Sequence, residues 1–156
     1  MKALLILTIG LFMCPNLVQA QEVLLEKEKQ TLAQKAAEAR HMAYAPYSKF
    51  YVGAAIMAQD GTIYKGCNVE NASYGVTCCA ERVALQKAVS EGARSFKAIA
   101  IVVPGGGTPC GVCRQALNEF NPDLLIIYSD EKGKITGEAT LTELLPDAFG
   151  PHNLSK

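Results

Sequence analysis

The run from Lys97 to Val103 constrains the fold of this chain more than any other feature, because every position after its first residue is apolar. A strand with one wet face alternates in polarity. A strand without alternation has both faces covered and belongs in the middle of a sheet. Leu124 to Tyr128 repeats the pattern, so the sheet needs helices against it. Glu22 to about Met42 reads as an amphipathic helix. Leu24, Leu25, Leu32, Ala36 and Ala39 share a stripe there, with Glu26, Lys27, Lys29 and Lys35 on the other faces. Ala45-Pro46-Tyr47-Ser48 ends that helix. Tyr51 to Ala58 and Thr62 to Cys67 read as strands joined by an Asp60-Gly61 turn, and a polar loop from Asn68 to Gly75 follows.

The next helix runs from about Cys79 to Glu91 and is closed by Gly92. A glycine-rich loop from Pro104 to Pro109 precedes a short helix from Cys110 to Phe120. Ile135 begins an edge strand, and Thr140 with Glu143 forms a capping box on a last helix ended by Pro146. The order predicts an α/β fold, a three-layer α-β-α sandwich around a five-stranded mixed sheet. Right-handed crossovers after the second and third strands place their helices on one face. The helix starts at Cys79 and Cys110 then lie together beyond the sheet's edge.

Length and charge narrow the partners. With 156 residues, 49% of them hydrophobic, the chain suits one domain with a true core. Lysine plus arginine equal aspartate plus glutamate at 15 each. That balance argues against a nucleic-acid surface and for a small neutral ligand. Residues 1–20 carry Lys2, an apolar run from Ala3 to Met13, a break at Pro15-Asn16 and a small-x-small Val18-Gln19-Ala20. This is the form of a signal peptide, too short to span a membrane, and it predicts an exported domain over 21–156. The competing reading is a misassigned start in front of a cytosolic protein. Cleavage would remove Cys14 from the six cysteines and leave an odd set, which suits a metal site better than a disulfide framework.

Cys110-Gly111-Val112-Cys113 places two sulfurs on one side of a helix's first turn, where the helix dipole favours thiolates. Alone, the motif fits a thiol-disulfide redox pair or half of a structural zinc site equally well. Cys79-Ala80-Glu81 changes the balance. A redox pair has no use for a third thiolate beside a carboxylate. Three sulfurs also leave a fourth tetrahedral position open, as catalytic zinc requires. A ligand two residues ahead of a glutamate, with Pro-Cys-x-x-Cys downstream, is the pattern of zinc deaminases.

From about Leu24 to Leu154 the chain resembles the small, three-cysteine cytidine deaminases. The likeness is carried by Tyr47-Ser48-Lys49-Phe50, Val52-Gly53-Ala54-Ala55, Gly66-Cys67-Asn68-Val69-Glu70-Asn71-Ala72, both cysteine segments, and Leu144-Leu145-Pro146 with Phe149. The resemblance implies one Zn2+ on Cys79, Cys110 and Cys113, activating water for attack at C4 of cytosine. It implies that Glu81 carries protons to N3 and to the departing amino group, releasing ammonia and uridine. Arg82 would hydrogen-bond the sulfurs and offset their charge. Asn68 and Glu70 would hold the ribose 3′-hydroxyl, Phe50 would line the base pocket, and the Ala80 N–H would serve the ring carbonyl. Phe149 would stack on the base bound by a neighbouring subunit of a homotetramer. Cytidine and 2′-deoxycytidine are the implied substrates.

Three alternatives stand beside this reading. One is a deaminase of another cytosine nucleoside such as blasticidin S. Another is a redox protein using Cys110 and Cys113, and the third is a zinc-binding module without activity. Cys78, beside the implied ligand Cys79, is unexplained, either a competitor for metal or a buried spectator, and Cys67 is read as packing inside the sheet.

Overall fold

The computed structural model describes residues 24–154, so the signal-peptide reading of 1–20 lies outside the described residues. The chain runs α1 (Glu26–Arg40), β1 (Gly53–Ala58), β2 (Ile63–Cys67), α2 (Ala80–Ser90), β3 (Phe96–Val102), α3 (Gly111–Asn118), β4 (Leu125–Ser129), β5 (Ile135–Thr140) and α4 (Leu141–Leu144). The five strands form one mixed sheet in the order β2-β1-β3-β4-β5. Only the β3–β4 pairing is parallel.

The central position of β3 explains its lack of alternation. Ile99 and Ile101 pack with Ala84, Leu85, Leu117 and Leu141 on one face. Ala98, Ala100 and Val102 meet Leu32, Ala33 and Ala36 of α1 on the other. Each face therefore has its own apolar layer, and the predicted three-layer sandwich is the architecture observed. As the crossover rule requires, α2 and α3 share a face, opposite α1. No helix among the described residues is long and apolar enough to cross a membrane.

Two glycines let helices sit tight on the sheet. A Cβ at Gly53 would lie 2.0 Å from the Ala36 carbonyl oxygen of α1, and one at Gly66 would lie 2.3 Å from the Ala84 nitrogen of α2. Gly66 thus sets the depth at which the first turn of α2 rests against β2.

The structure departs from the sequence reading at Leu25, Lys29, Gly75 and Cys67. Leu25 does not join the apolar stripe; it precedes α1 and is 67% exposed, while its N–H donates to Glu28 at 2.8 Å. Lys29 does not face solvent. It is buried, and its ammonium reaches Glu138 of β5 at 2.9 Å and Glu26 at 3.0 Å, so the charge is paired rather than hydrated. A short 3-10 turn at Tyr74–Val76 follows the polar stretch and runs past the Gly75 at which the loop was expected to end. Cys67 ends the edge strand β2 and is half-buried, enough for desolvation to push its thiol up.

Candidate active site

Cys79 and Cys110 are not the first helical residues but the caps before them. Both have extended backbone, and α2 and α3 start at Ala80 and Gly111. Cys113 adds a third sulfur from the first turn of α3. The three sulfurs lie within 4.8 Å of one another. A tetrahedral zinc with sulfurs at about 2.3 Å would hold them about 3.8 Å apart, so a small contraction closes the set.

The electrostatics agree with a cation site. Hydrogen bonding from Cys113, then from Cys110, outweighs burial and, with the nearby Arg82 charge, pulls the Cys79 thiol down to about 5. The bond to Cys79, followed by burial, pushes the Cys113 thiol far up. The shifts favour negative charge on Cys79 over Cys113, and a divalent ion favours the thiolate form of its cysteine ligands.

Arg82 donates from Nη2 to the Thr77 carbonyl at 2.8 Å, and its guanidinium interacts with the charges of Cys79 and Cys113. Among the described residues its buried Nε has no hydrogen-bond acceptor. Such an atom fits beside a sulfur cluster of net negative charge. Cys78 stands outside the set. Its sulfur faces Gln86 at 3.9 Å, and its backbone pairs with Val69 in both directions at 2.9 and 3.0 Å.

Glu81 occupies the first turn of α2, 5% exposed. Burial, and then the Cys79 charge, raise its carboxyl above the ordinary carboxylate range. A carboxyl shifted this way takes and returns protons near neutral pH more readily than a solvated one.

These groups open into a cavity of about 320 Å³ whose walls include Phe50, Asn68, Glu70, Cys79, Ala80, Glu81 and Cys110. That size lies at the lower end for small-molecule pockets. Asn68 and Glu70 also brace the segment that carries Phe50. The Asn68 side chain donates to the Phe50 carbonyl and accepts from the Val52 N–H, both at 2.8 Å. Glu70 accepts from the N–H groups of Tyr47 and Ser48 at 2.9 and 3.2 Å and from the Ser48 hydroxyl. The Ser48 bond, ahead of the backbone donors, holds the Glu70 carboxyl below its usual range.

Phe149 stands apart from this wall. It is 60% exposed, and its carbonyl accepts from Gln115 at 2.8 Å and from Asn118 at 3.1 Å, so the chain end is tied to α3 while the ring stays outside. Sequence reasoning passed over Ser48 and Thr108, which also line the cavity. Ser48 stood in plain view within Tyr47-Ser48-Lys49-Phe50; Thr108 gave no signal beyond lying two residues before Cys110.

An open three-sulfur centre with a buried acid at its side belongs to metal-dependent hydrolytic enzymes rather than to redox or purely structural proteins. Residues 26–129 match the family model described as the cytidine and deoxycytidylate deaminase zinc-binding region. The cytidine deaminase of Sporosarcina psychrophila is 54% identical over 121 residues, covering 76% of this chain and 88% of the relative. That of Halalkalibacterium halodurans is 47% identical over 135 residues, covering 82% and 98%. The crystal structure of cytidine deaminase from Burkholderia pseudomallei superposes with a TM-score of 0.72 at 47% identity, covering 76% of this chain and 97% of that one. The chain belongs to the cytidine and deoxycytidylate deaminase family.

Proposed function

We propose that this protein hydrolyses cytidine and 2′-deoxycytidine to uridine and 2′-deoxyuridine, releasing ammonia, as a step of pyrimidine salvage. One observation carries the reading: Cys79 and Cys110 of the three-sulfur cluster line one cavity together with the buried Glu81. When bound by Cys79, Cys110 and Cys113, zinc would supply the Lewis acid that makes a water nucleophilic near neutral pH. Glu81 would carry the first proton of that water to ring N3 and the second, once the oxygen is bonded to C4, to the amine that leaves as ammonia. The Ala80 N–H, at the start of α2, receives the ring carbonyl, and Phe50 walls the base. Three thiolates leave the centre with net negative charge, which Arg82 and the two helix N-termini offset.

Asn68 and Glu70 face the sugar. A carboxylate there accepts a hydroxyl proton and repels phosphate, and among the described residues no lysine or arginine lines the cavity to reverse that repulsion. The family's description spans nucleosides and nucleotides; this wall favours the nucleoside. The same two side chains, fitted to a plain ribose, disfavour blasticidin S. A redox role for Cys110 and Cys113 is disfavoured by the third sulfur, of Cys79, gathered within 4.8 Å of theirs.

Homotetrameric assembly is part of this proposal. Tyr74, Val76 and Phe149 are 75%, 64% and 60% exposed, which is costly for a lone subunit and suits a covered surface. In that assembly Phe149 stacks on the base in a neighbour's pocket. Export through cleavage after Ala20 is the reading of the amino terminus, and sequencing the mature chain tests it.

The decisive experiment is ammonia release from cytidine by the purified protein, with and without a chelator, with cytidine monophosphate as comparator. Turnover of cytidine that falls with chelation and is restored by zinc is the expected result. No ammonia from any cytosine nucleoside would overturn the reading.

A further inference from the structure

Cys110 is the exposed member of the sulfur set, at the end of a loop with three consecutive glycines, Gly105 to Gly107. Gly105 and Gly106 both have positive φ, at 73° and 79°, so this loop has little stiffness of its own. Something outside the loop must fix where Cys110 sits.

We infer that Arg114 is the positioning residue for the Cys110 side of the metal centre and for the Thr108 wall of the substrate cavity. Its guanidinium is a fork closed on three acceptors. Nε donates to the Pro109 carbonyl at 2.8 Å, Nη2 to the Thr108 hydroxyl at 3.0 Å, and Nη1 to the Leu144 carbonyl at 2.7 Å. The first two are the residues directly before Cys110. The third belongs to α4, which packs against β5 and α3. Arg114 itself follows Cys113 on α3, and its N–H donates to the Cys110 carbonyl at 3.0 Å. One side chain therefore holds the Thr108–Cys110 segment to α3 and to a fixed point beyond it.

Planarity makes the residue type matter. Five donors in a rigid fork reach three separated oxygens at once, whereas a lysine ammonium on a flexible stem satisfies one or two. Removing such a partner of a ligand segment ordinarily weakens metal retention or activity by about 10- to 100-fold.

This inference rests on the zinc assignment above, and its test separates the two. The purified holoenzyme, Arg114→Lys, Arg114→Ala, Thr108→Val and a control, Arg94→Lys, are compared. Arg94 also donates to two carbonyls, of Val89 and Ala93 at 2.6 and 2.8 Å, but beyond the far end of α2. Three readings are taken: zinc release into a colorimetric chelator, the visible spectrum after cobalt substitution, and kcat and KM for cytidine.

Arg114→Lys should release zinc about tenfold faster and show an altered cobalt band, with kcat lowered more than KM is raised. Thr108→Val should mainly raise KM, and Arg94→Lys should match the parent. Arg114→Lys with parental release rate, spectrum and kcat overturns the inference, as does Arg94→Lys releasing metal equally fast. If Arg114→Ala fails to fold, Arg114→Lys and Thr108→Val still decide. A parent protein that holds no zinc instead defeats the metal assignment itself.

Discussion

The Asn68 amide nitrogen donates to the Phe50 carbonyl at 2.8 Å, so one residue of the cavity wall holds another in place. With its oxygen on the Val52 N–H, Asn68 supports the loop from both sides. Asn68→Ala should therefore cost about 2 kcal/mol of stability from buried backbone groups left unpaired. It should also raise KM for cytidine on the order of tenfold. Urea unfolding and steady-state kinetics measure both, and an unchanged KM would separate the sugar contact from the brace.

Replacing Glu81, the proposed proton carrier, should abolish turnover without emptying the metal centre. Glu81→Gln keeps the buried shape and removes the exchangeable proton. Its kcat should fall at least about a thousandfold, within the range general acid–base groups contribute. Zinc content, measured by atomic emission, should stay at the parental ratio. Substantial residual turnover would remove Glu81 from its role.

The buried Lys29 makes a pH prediction with a definite sign. Hydrogen bonding to Glu138, then to Glu26, raises its ammonium above the ordinary 10.5. The folded state thus binds that proton more tightly than the unfolded chain does. The contribution is complete below the unfolded value of about 10.4 and is lost as pH climbs through the folded one. Lys29→Met should lower stability by about 1 kcal/mol at neutral pH. The gap from the parent should narrow only in strong alkali, as denaturation midpoints across pH would record.

Gly66→Ala tests the seating of α2. The added carbon would sit 2.3 Å from the Ala84 nitrogen and 2.5 Å from the Ala80 carbonyl oxygen, with no flexible side chain to give way. Displacing that turn moves Cys79 and Glu81 together. A stability loss of about 3 kcal/mol is expected, with reduced zinc content, by calorimetry and metal analysis.

How much of this was legible beforehand follows from the range of each interaction. β3 and β4 announced themselves because covering both faces of a strand leaves an unbroken apolar run. The capping box survived intact, with the Thr140 N–H donating to Glu143 at 2.7 Å, because it is a contact three residues long. The metal segments were readable because ligand chemistry restricts residue type as well as spacing. Lys29 misled because its partner Glu138 lies on a distant strand, and helical periodicity carries no record of it. The Ser48–Glu70 bond was hidden for the same reason: a serine or an arginine looks alike in sequence whether it is solvated or closing a distant loop. Cys79 and Cys110 fell one step outside their helices because capping positions prefer extended backbone, which apolar periodicity does not report.

Cys79 stands at one helix mouth and Cys110 and Cys113 at the next, with all of β3 between them in the chain. An ion shared by these sulfurs would close α2 and β3 into one loop of the chain, from Cys79 to Cys110. Thermal resistance should then follow the free zinc concentration, since whatever binds only the native form shifts its melting by mass action. The same closure that prepares the chemistry would act as a clasp on the sheet, and metal starvation would loosen the architecture along with the reaction.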